Sequence, residues 1–168
     1  MRTKLWVPII LLTALSAAAA DSKSVLLRVP GSPDSAVSAE SLQKAAPRDV
    51  SIETEHGGKV VYRAIPLLDV LEKAGLETQG MAAGRKLAAA IVVVAARDGY
   101  TAVLSVGELL ANRADPRVFL SAGTTSGALP EEQGPVRLVV TGEKTRSVFG
   151  LSAIEVRFVA ENRPARKS

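Results

Sequence analysis

The sequence predicts an α+β fold: a mixed or antiparallel β-sheet interrupted by short helices. Three observations carry that expectation. Strand-like runs outnumber helical ones, most runs end at glycine or proline, and the clearest amphipathic helix extends only from Pro66 to Gly75. No internal repeat and no long linker divides the chain.

Ser24 to Val29 (SVLLRV) reads as a strand, ended by Pro30-Gly31-Ser32-Pro33, where proline and glycine break any ladder. Ser38 is placed to cap a short helix through Lys44, and Pro47 stops it. Val50, Ile52 and Thr54 alternate with Ser51, Glu53 and Glu55, which turns the acids to water and the apolar side chains inward. Gly57-Gly58 then turns the chain into a second strand, Lys59 to Ala64, so residues 49–64 form a hairpin.

Pro66 opens the next helix and Gly75 closes it. Leu67, Leu68, Leu71 and Ala74 share one of its faces, with Asp69, Glu72 and Lys73 on the other. Gly80 to Gly84 reads as a loose connection. Leu87 to Ala96 is nearly continuous in apolar residues and rich in valine, which suits a strand covered on both sides, with a buried helix as the alternative. Asp98-Gly99 ends it and Tyr100 to Leu104 follows as a strand. Ser105 with Glu108 three residues later has the pattern of a capping box for a helix through Asn112. Arg117 to Ala122 is a strand, Thr124 to Pro135 a turn-rich loop, Val136 to Thr141 a strand and Ile154 to Val159 the last.

The two ends carry their own signals. Arg2 and Lys4 precede an apolar run, Leu5 to Leu15, and Ala18-Ala19-Ala20 offers small residues for cleavage. That order is the grammar of a secretory signal peptide, and the run is shorter than the ~20 residues of a membrane-spanning helix. Residues 1–20 are therefore expected to be removed before Asp21, leaving 148 of the 168 residues, no stable membrane anchor and a periplasmic or secreted protein. Met1-Arg2-Thr3-Lys4 holds no arginine pair, so the expected route is general secretion of an unfolded chain. A chain of that length buries roughly two-thirds of its unfolded surface and needs no disulfide. It has no cysteine, which excludes thiolate metal ligands and cysteine nucleophiles. The body from Asp21 to Val159 is formally neutral, because the excess charge sits in the leader and in a basic, disordered tail over residues 160–168. With aromatics also scarce, nucleic acid is not an expected partner.

Familiar catalytic signatures are missing. His56 is the sole histidine and lies in the hairpin turn, where histidines are usually just solvated. No GxSxG elbow accompanies it, no zinc-ligand set surrounds it, and neither a Walker loop nor GxGxxG occurs. Glu131-Glu132 reads as a solvated loop pair.

Three stretches nevertheless form a set. Tyr62-Arg63-Ala64-Ile65-Pro66-Leu67-Leu68-Asp69-Val70-Leu71 runs into Lys73-Ala74-Gly75. Arg97-Asp98-Gly99-Tyr100 precedes an alternating strand and then Glu108-Leu109. Gln133-Gly134-Pro135-Val136-Arg137-Leu138-Val139-Val140 leads through Gly142 to Arg146-Ser147-Val148 and then Ile154-Glu155-Val156. In this order and spacing, over roughly Ser41 to Val159, the chain resembles the molybdopterin-binding domain of the sulfite oxidase family. The resemblance implies that family's domain fold and a molybdenum–pterin cofactor that performs oxygen-atom transfer. It further implies that Arg137 helps to hold the pterin, with Ser147 and Val148 beside it if a pterin binds. Tyr100 would line the substrate pocket.

The departures point the other way. Where the family's metal-binding cysteine belongs, this chain has Thr54, Glu55 and His56, none of them a soft thiolate. Gln133 stands where a histidine often precedes the Gly-Pro pair, and Phe149 where a lysine often binds pterin phosphate. The expectation is thus an exported relative without bound molybdenum, with no catalytic residue and no metal ligand. It would act as a binding or accessory module for a small anion or a periplasmic protein partner. The alternative is a molybdopterin-dependent oxidoreductase, and a third reading is a structural protein of the envelope.

Overall fold

The computed structural model describes residues 24–45, 47–53, 58–143 and 145–159. The expected signal peptide, the basic tail and the Thr54–His56 stretch lie outside the described residues. Within them, two β-sheets share one apolar core and four short helices pack on it. The expectation of a mixed, mainly antiparallel α+β fold with short helices holds.

In the first sheet β1 (Ser24–Arg28) lies between β2 (Ser35–Ser38) and β10 (Leu151–Phe158), followed by β5 (Ala90–Ala96) and β6 (Thr101–Ser105). Only β1 and β10 run parallel. In the second, β3 (Arg48–Glu53) pairs with β4 (Lys59–Pro66), and β4 with β7 (Val118–Thr124). The other edge of β7 is shared by β8 (Gly127–Ala128) and β9 (Arg137–Val140), all antiparallel.

Helix α1 (Ala39–Lys44) starts as its sequence dictates. Ser38 Oγ accepts from the Ser41 N–H at 3.1 Å, and Ser41 Oγ accepts from the Ser38 N–H at 3.1 Å. Helix α2 (Leu67–Lys73) buries Leu67, Leu68, Val70 and Leu71. It ends on Gly75 at φ +103°, with the Gly75 N–H on Glu72 O and the Leu76 N–H on Leu71 O. Only glycine fits there: a Cβ would stand 2.1 Å from Ser32 Oγ.

Four expectations need correction. The stretch read as a loose connection at Gly80–Gly84 opens helix α3 (Met81–Ala88), whose end takes Leu87 and Ala88 out of the supposed strand. The remaining strand, β5, is covered on one face only. Ala90, Val92, Val94 and Ala96 enter the core, whereas Ile91, Val93 and Ala95 are half-buried on the sheet's open side. Ser105 does lead into helix α4 (Val106–Ala111), but its hydroxyl makes no capping bond, and Glu108 is turned instead to Arg146. A tertiary ion pair has outcompeted a local cap. Finally, β2 was not anticipated, since Ser35-Ala36-Val37-Ser38 has no strand-forming pattern beyond Val37; pairing with β1 supplies the order.

Ile154 sits fully buried on the central strand of the first sheet. Ile154→Ala is expected to cost about 2–5 kcal/mol in urea unfolding, through lost burial and the cavity left behind. Val103→Ala on the half-exposed open face should stay within about 0.5 kcal/mol.

A second expectation concerns pH. Glu72 accepts from Arg113 Nη2 at 2.6 Å and from the Thr78 hydroxyl, and the Arg113 bond chiefly holds its carboxyl below the usual range. A depressed native pKa stabilises above the unfolded value of about 4.3 and is lost as pH falls through the native one. Glu72→Gln should thus be less stable than the parent at pH 7, with the gap closing below pH about 4. A gap that stays constant down to acid would show that the charge plays no part.

Candidate functional site

The second sheet has two covered faces, and the candidate site lies on the one away from the main core. Alternation along β9 sends Leu138 and Val140 into that core. Arg137 and Val139 point to the opposite side, where Val50, Tyr62, Ala64, Phe119 and Val139 form a small apolar cluster. Register places Arg137 across from Ser121 of β7, which is in turn across from Ala64 of β4. The charged side chain is therefore set down beside an apolar patch, and only 8 % of Arg137 is exposed.

Its surroundings are mostly aromatic. The guanidinium carbon lies 4.6 Å from the Tyr62 ring centroid and 4.2 Å from that of Phe149. Nη1 donates to the Tyr62 hydroxyl oxygen and, at 3.1 Å, to Gln133 Oε1. Nε is buried and donates to nothing among the described residues. No carboxylate pairs with the guanidinium among them either. Burial pushes its pKa below the ordinary arginine value, with the Tyr62 oxygen opposing, but a guanidinium remains charged at neutral pH.

Backbone bonds in the loops hold this set together. Gln133 N–H and Gly134 N–H both donate to Pro130 O at 2.9 Å, and Gly150 N–H donates to Gln133 O at 3.1 Å. Arg97 N–H reaches Gly150 O at 3.0 Å, so the turn after β5 also braces the residue next to Phe149. Phe149 itself is 46 % exposed.

The other expected site residues lie near this segment without joining the guanidinium. Tyr100 is half-exposed, and its hydroxyl donates to Thr145 O at 2.5 Å. It thus borders the far end of the 145–150 stretch, and no hydrogen bond or ring contact links it to Arg137. Ser147 Oγ accepts from the Val140 N–H at 3.1 Å and donates to Glu143 O at 3.4 Å. Val148 is in the core, with both backbone groups bonded to Leu138. Ser147 and Val148 therefore hold the loop to β9, and Arg146 fixes it from the other side through Glu108 and Glu143. Those two carboxylates, Glu143 first, raise the Arg146 pKa above the ordinary value.

Three residues that complete the site were not assigned to it from sequence. Tyr62 read as a strand residue at the head of one family-like stretch, and Gln133 and Phe149 as departures from the family pattern. All three meet at Arg137. Among the described residues no three His, Cys, Asp or Glu side chains cluster as metal ligands. The enclosed space between α2 and α4, lined by Asp69, Glu108, Arg113 and Arg117, is about 20 Å³, room for one water. Neither feature competes with Arg137 as a ligand site. No protein-family model matches the chain, and no curated protein shows significant similarity to it.

Because no acidic residue among the described ones pairs with Arg137, its removal orphans no charge there. Arg137→Met is expected to fall within about 1 kcal/mol of the parent in urea unfolding, unlike the 3–5 kcal/mol lost when a buried ion pair is broken. Tyr62→Phe, which strips an acceptor from a buried cation, should cost about 1–3 kcal/mol.

Proposed function

We propose that this chain is an exported, cofactor-free relative of the sulfite oxidase-type molybdopterin-binding domain, serving as a small-anion binding or accessory module with Arg137 as the anion's partner. The observation that carries the reading is the buried Nε of Arg137, a charge-bearing donor with no protein acceptor among the described residues. Buried polar groups are nearly always paired, and an unpaired cationic N–H next to a second free N–H is the form in which arginine receives an oxyanion. The positions that the family pattern singles out, Gln133, Arg137 and Phe149, also converge in space, which supports descent from a pterin-binding ancestor.

Molybdenum itself does not suit this chain. The metal calls for a soft thiolate, and the sequence contains no cysteine. A general secretory leader agrees, since an unfolded chain carries no folded-in cofactor through the channel.

The test is thermal unfolding of the exported protein with formate, acetate, phosphate or sulfate replacing chloride at constant ionic strength. At a hundredfold excess over Kd, a bound anion stabilises by about 2.7 kcal/mol, a shift of several degrees. Arg137→Lys keeps the charge and removes the Nε–Nη2 pair, so it should abolish the shift. Equal shifts in both proteins would overturn the assignment, and stoichiometric molybdenum in native protein would overturn its cofactor-free part.

A further inference from the structure

The donors of Arg137 divide into two sets. Nη1 is occupied by Tyr62 and Gln133. Nε and Nη2 form the opposite edge of the guanidinium, two roughly parallel N–H groups; Nε is buried and unpaired, and no hydrogen bond joins Nη2 to a described residue. At Arg146 the same edge is taken. Arg146 gives Nε and Nη2 to Glu143 at 2.6 Å each, and Nη1 and Nη2 to Glu108 at 3.0 Å each. Arg113 gives Nη2 to Glu72 and Thr78. A carboxylate on the Nε–Nη2 edge is thus the pairing this protein itself uses at Arg146, and at Arg137 the described residues supply none.

Three features narrow what would fit that edge. The first is charge. One guanidinium stands alone: its neighbours Tyr62, Gln133 and Phe149 are uncharged, and no second cation is paired to the site among the described residues. The cost of removing an ion from water grows steeply with its charge, so one guanidinium balances a monoanion and leaves a dianion uncompensated. The second is shape. Aromatic rings at 4.2 and 4.6 Å from the guanidinium carbon favour a flat group continuing in its plane over a tetrahedral one. The third is surface. Phe149 is half in solvent, so part of the ring beside the guanidinium is open to contact by a ligand.

We infer that the ligand of this site is a monovalent carboxylate bearing a flat apolar group, bound by the Nε–Nη2 edge of Arg137 with the ring of Phe149 as its stacking surface. The inference rests on the anion-binding reading above and selects a ligand class within it. It also sets the site apart from one shaped for a phosphate ester.

Titration calorimetry of the exported protein with benzoate, acetate, phosphate and sulfate at matched ionic strength tests it. Benzoate should bind about tenfold more tightly than acetate and than either tetrahedral anion, the gain expected from one aromatic stack plus its buried area. Arg137→Lys should abolish all binding. Phe149→Ala should weaken benzoate about tenfold while leaving acetate within about twofold. In the unaltered protein, benzoate should also move the Arg137 Nε–H resonance in a 15N spectrum, a readout that needs no variant to fold. Phosphate or sulfate binding as tightly as benzoate, with loss in Arg137→Lys, would overturn the ligand class and leave the anion site standing. Benzoate affinity unchanged in Phe149→Ala would overturn it too. If no probe binds through Arg137 and the Nε–H resonance stays fixed, both readings fall.

Discussion

Strand β7 has little water on either face. Val118, Leu120 and Ala122 enter the main core, while Phe119 and Ser121 point to the smaller cluster on the other side of the second sheet. With β4 on one edge and β8 and β9 on the other, its backbone is paired along both sides. A strand so constrained cannot slip, because a one-residue shift would exchange Leu120 for Ser121 in the core. The hydroxyl of Ser121, fully buried, is shared as a donor between Arg63 O across the bulge from β4 and Gly123 O on its own strand. Register on β7 then dictates register on β9, and register on β9 sends Arg137 outward beside Tyr62 instead of into the main core. The site is a consequence of that double burial.

The energetics of Arg137 differ from those of every other arginine whose pairing is described. Taking a guanidinium out of water costs several kcal/mol, and an ion pair recovers it only with well-made hydrogen bonds. Here two aromatic faces return roughly 0.5–2 kcal/mol each and two hydrogen bonds through Nη1 return part of the remainder. Such an arrangement tolerates the charge without neutralising it. A side chain selected for stability alone at this position would be methionine or leucine, both of which fit an apolar cluster with no donors left over. Keeping arginine there is intelligible if something outside the chain takes the remaining edge.

How much of this was legible in the sequence depended on the range of the interaction. Helices α1 and α2 could be read because their signals are local: Ser38 caps with Ser41 three residues on, and Gly75 takes the left-handed turn beyond Lys73. Helix α3 was hidden by Gly80 and Gly84, which lower helix propensity yet sit at its cap and in its body. The valine run of β5 suggested two covered faces because composition does not report which side of a sheet lacks a partner layer. The Ser105–Glu108 pattern failed for a third reason. Arg146 lies 38 residues from Glu108 and draws its carboxylate away from the helix start. The site was half visible in the same sense. Arg137 could be placed from the Gly-Pro stretch, but Tyr62 is 75 residues away and joins it only through two strand pairings.

The two departures at Gln133 and Phe149 look unrelated along the chain and become one change in space. A histidine and a lysine at those places would bring one or two more cationic donors to the guanidinium, making an electropositive pocket fit for a phosphate. A neutral amide and a phenyl ring leave one charge, lower the local polarity and add a flat apolar surface. On the proposed reading the absence of a thiolate acts in the same direction, since each feature weakens the hold on a heavy, multiply charged cofactor. On the proposed reading these are not independent defects. On that reading, a lysine and a histidine at those places would, without the cofactor, form a destabilising cluster of like charge beside an apolar patch. Gln133 and Phe149 avoid that repulsion and leave Arg137 as the one charge among these residues.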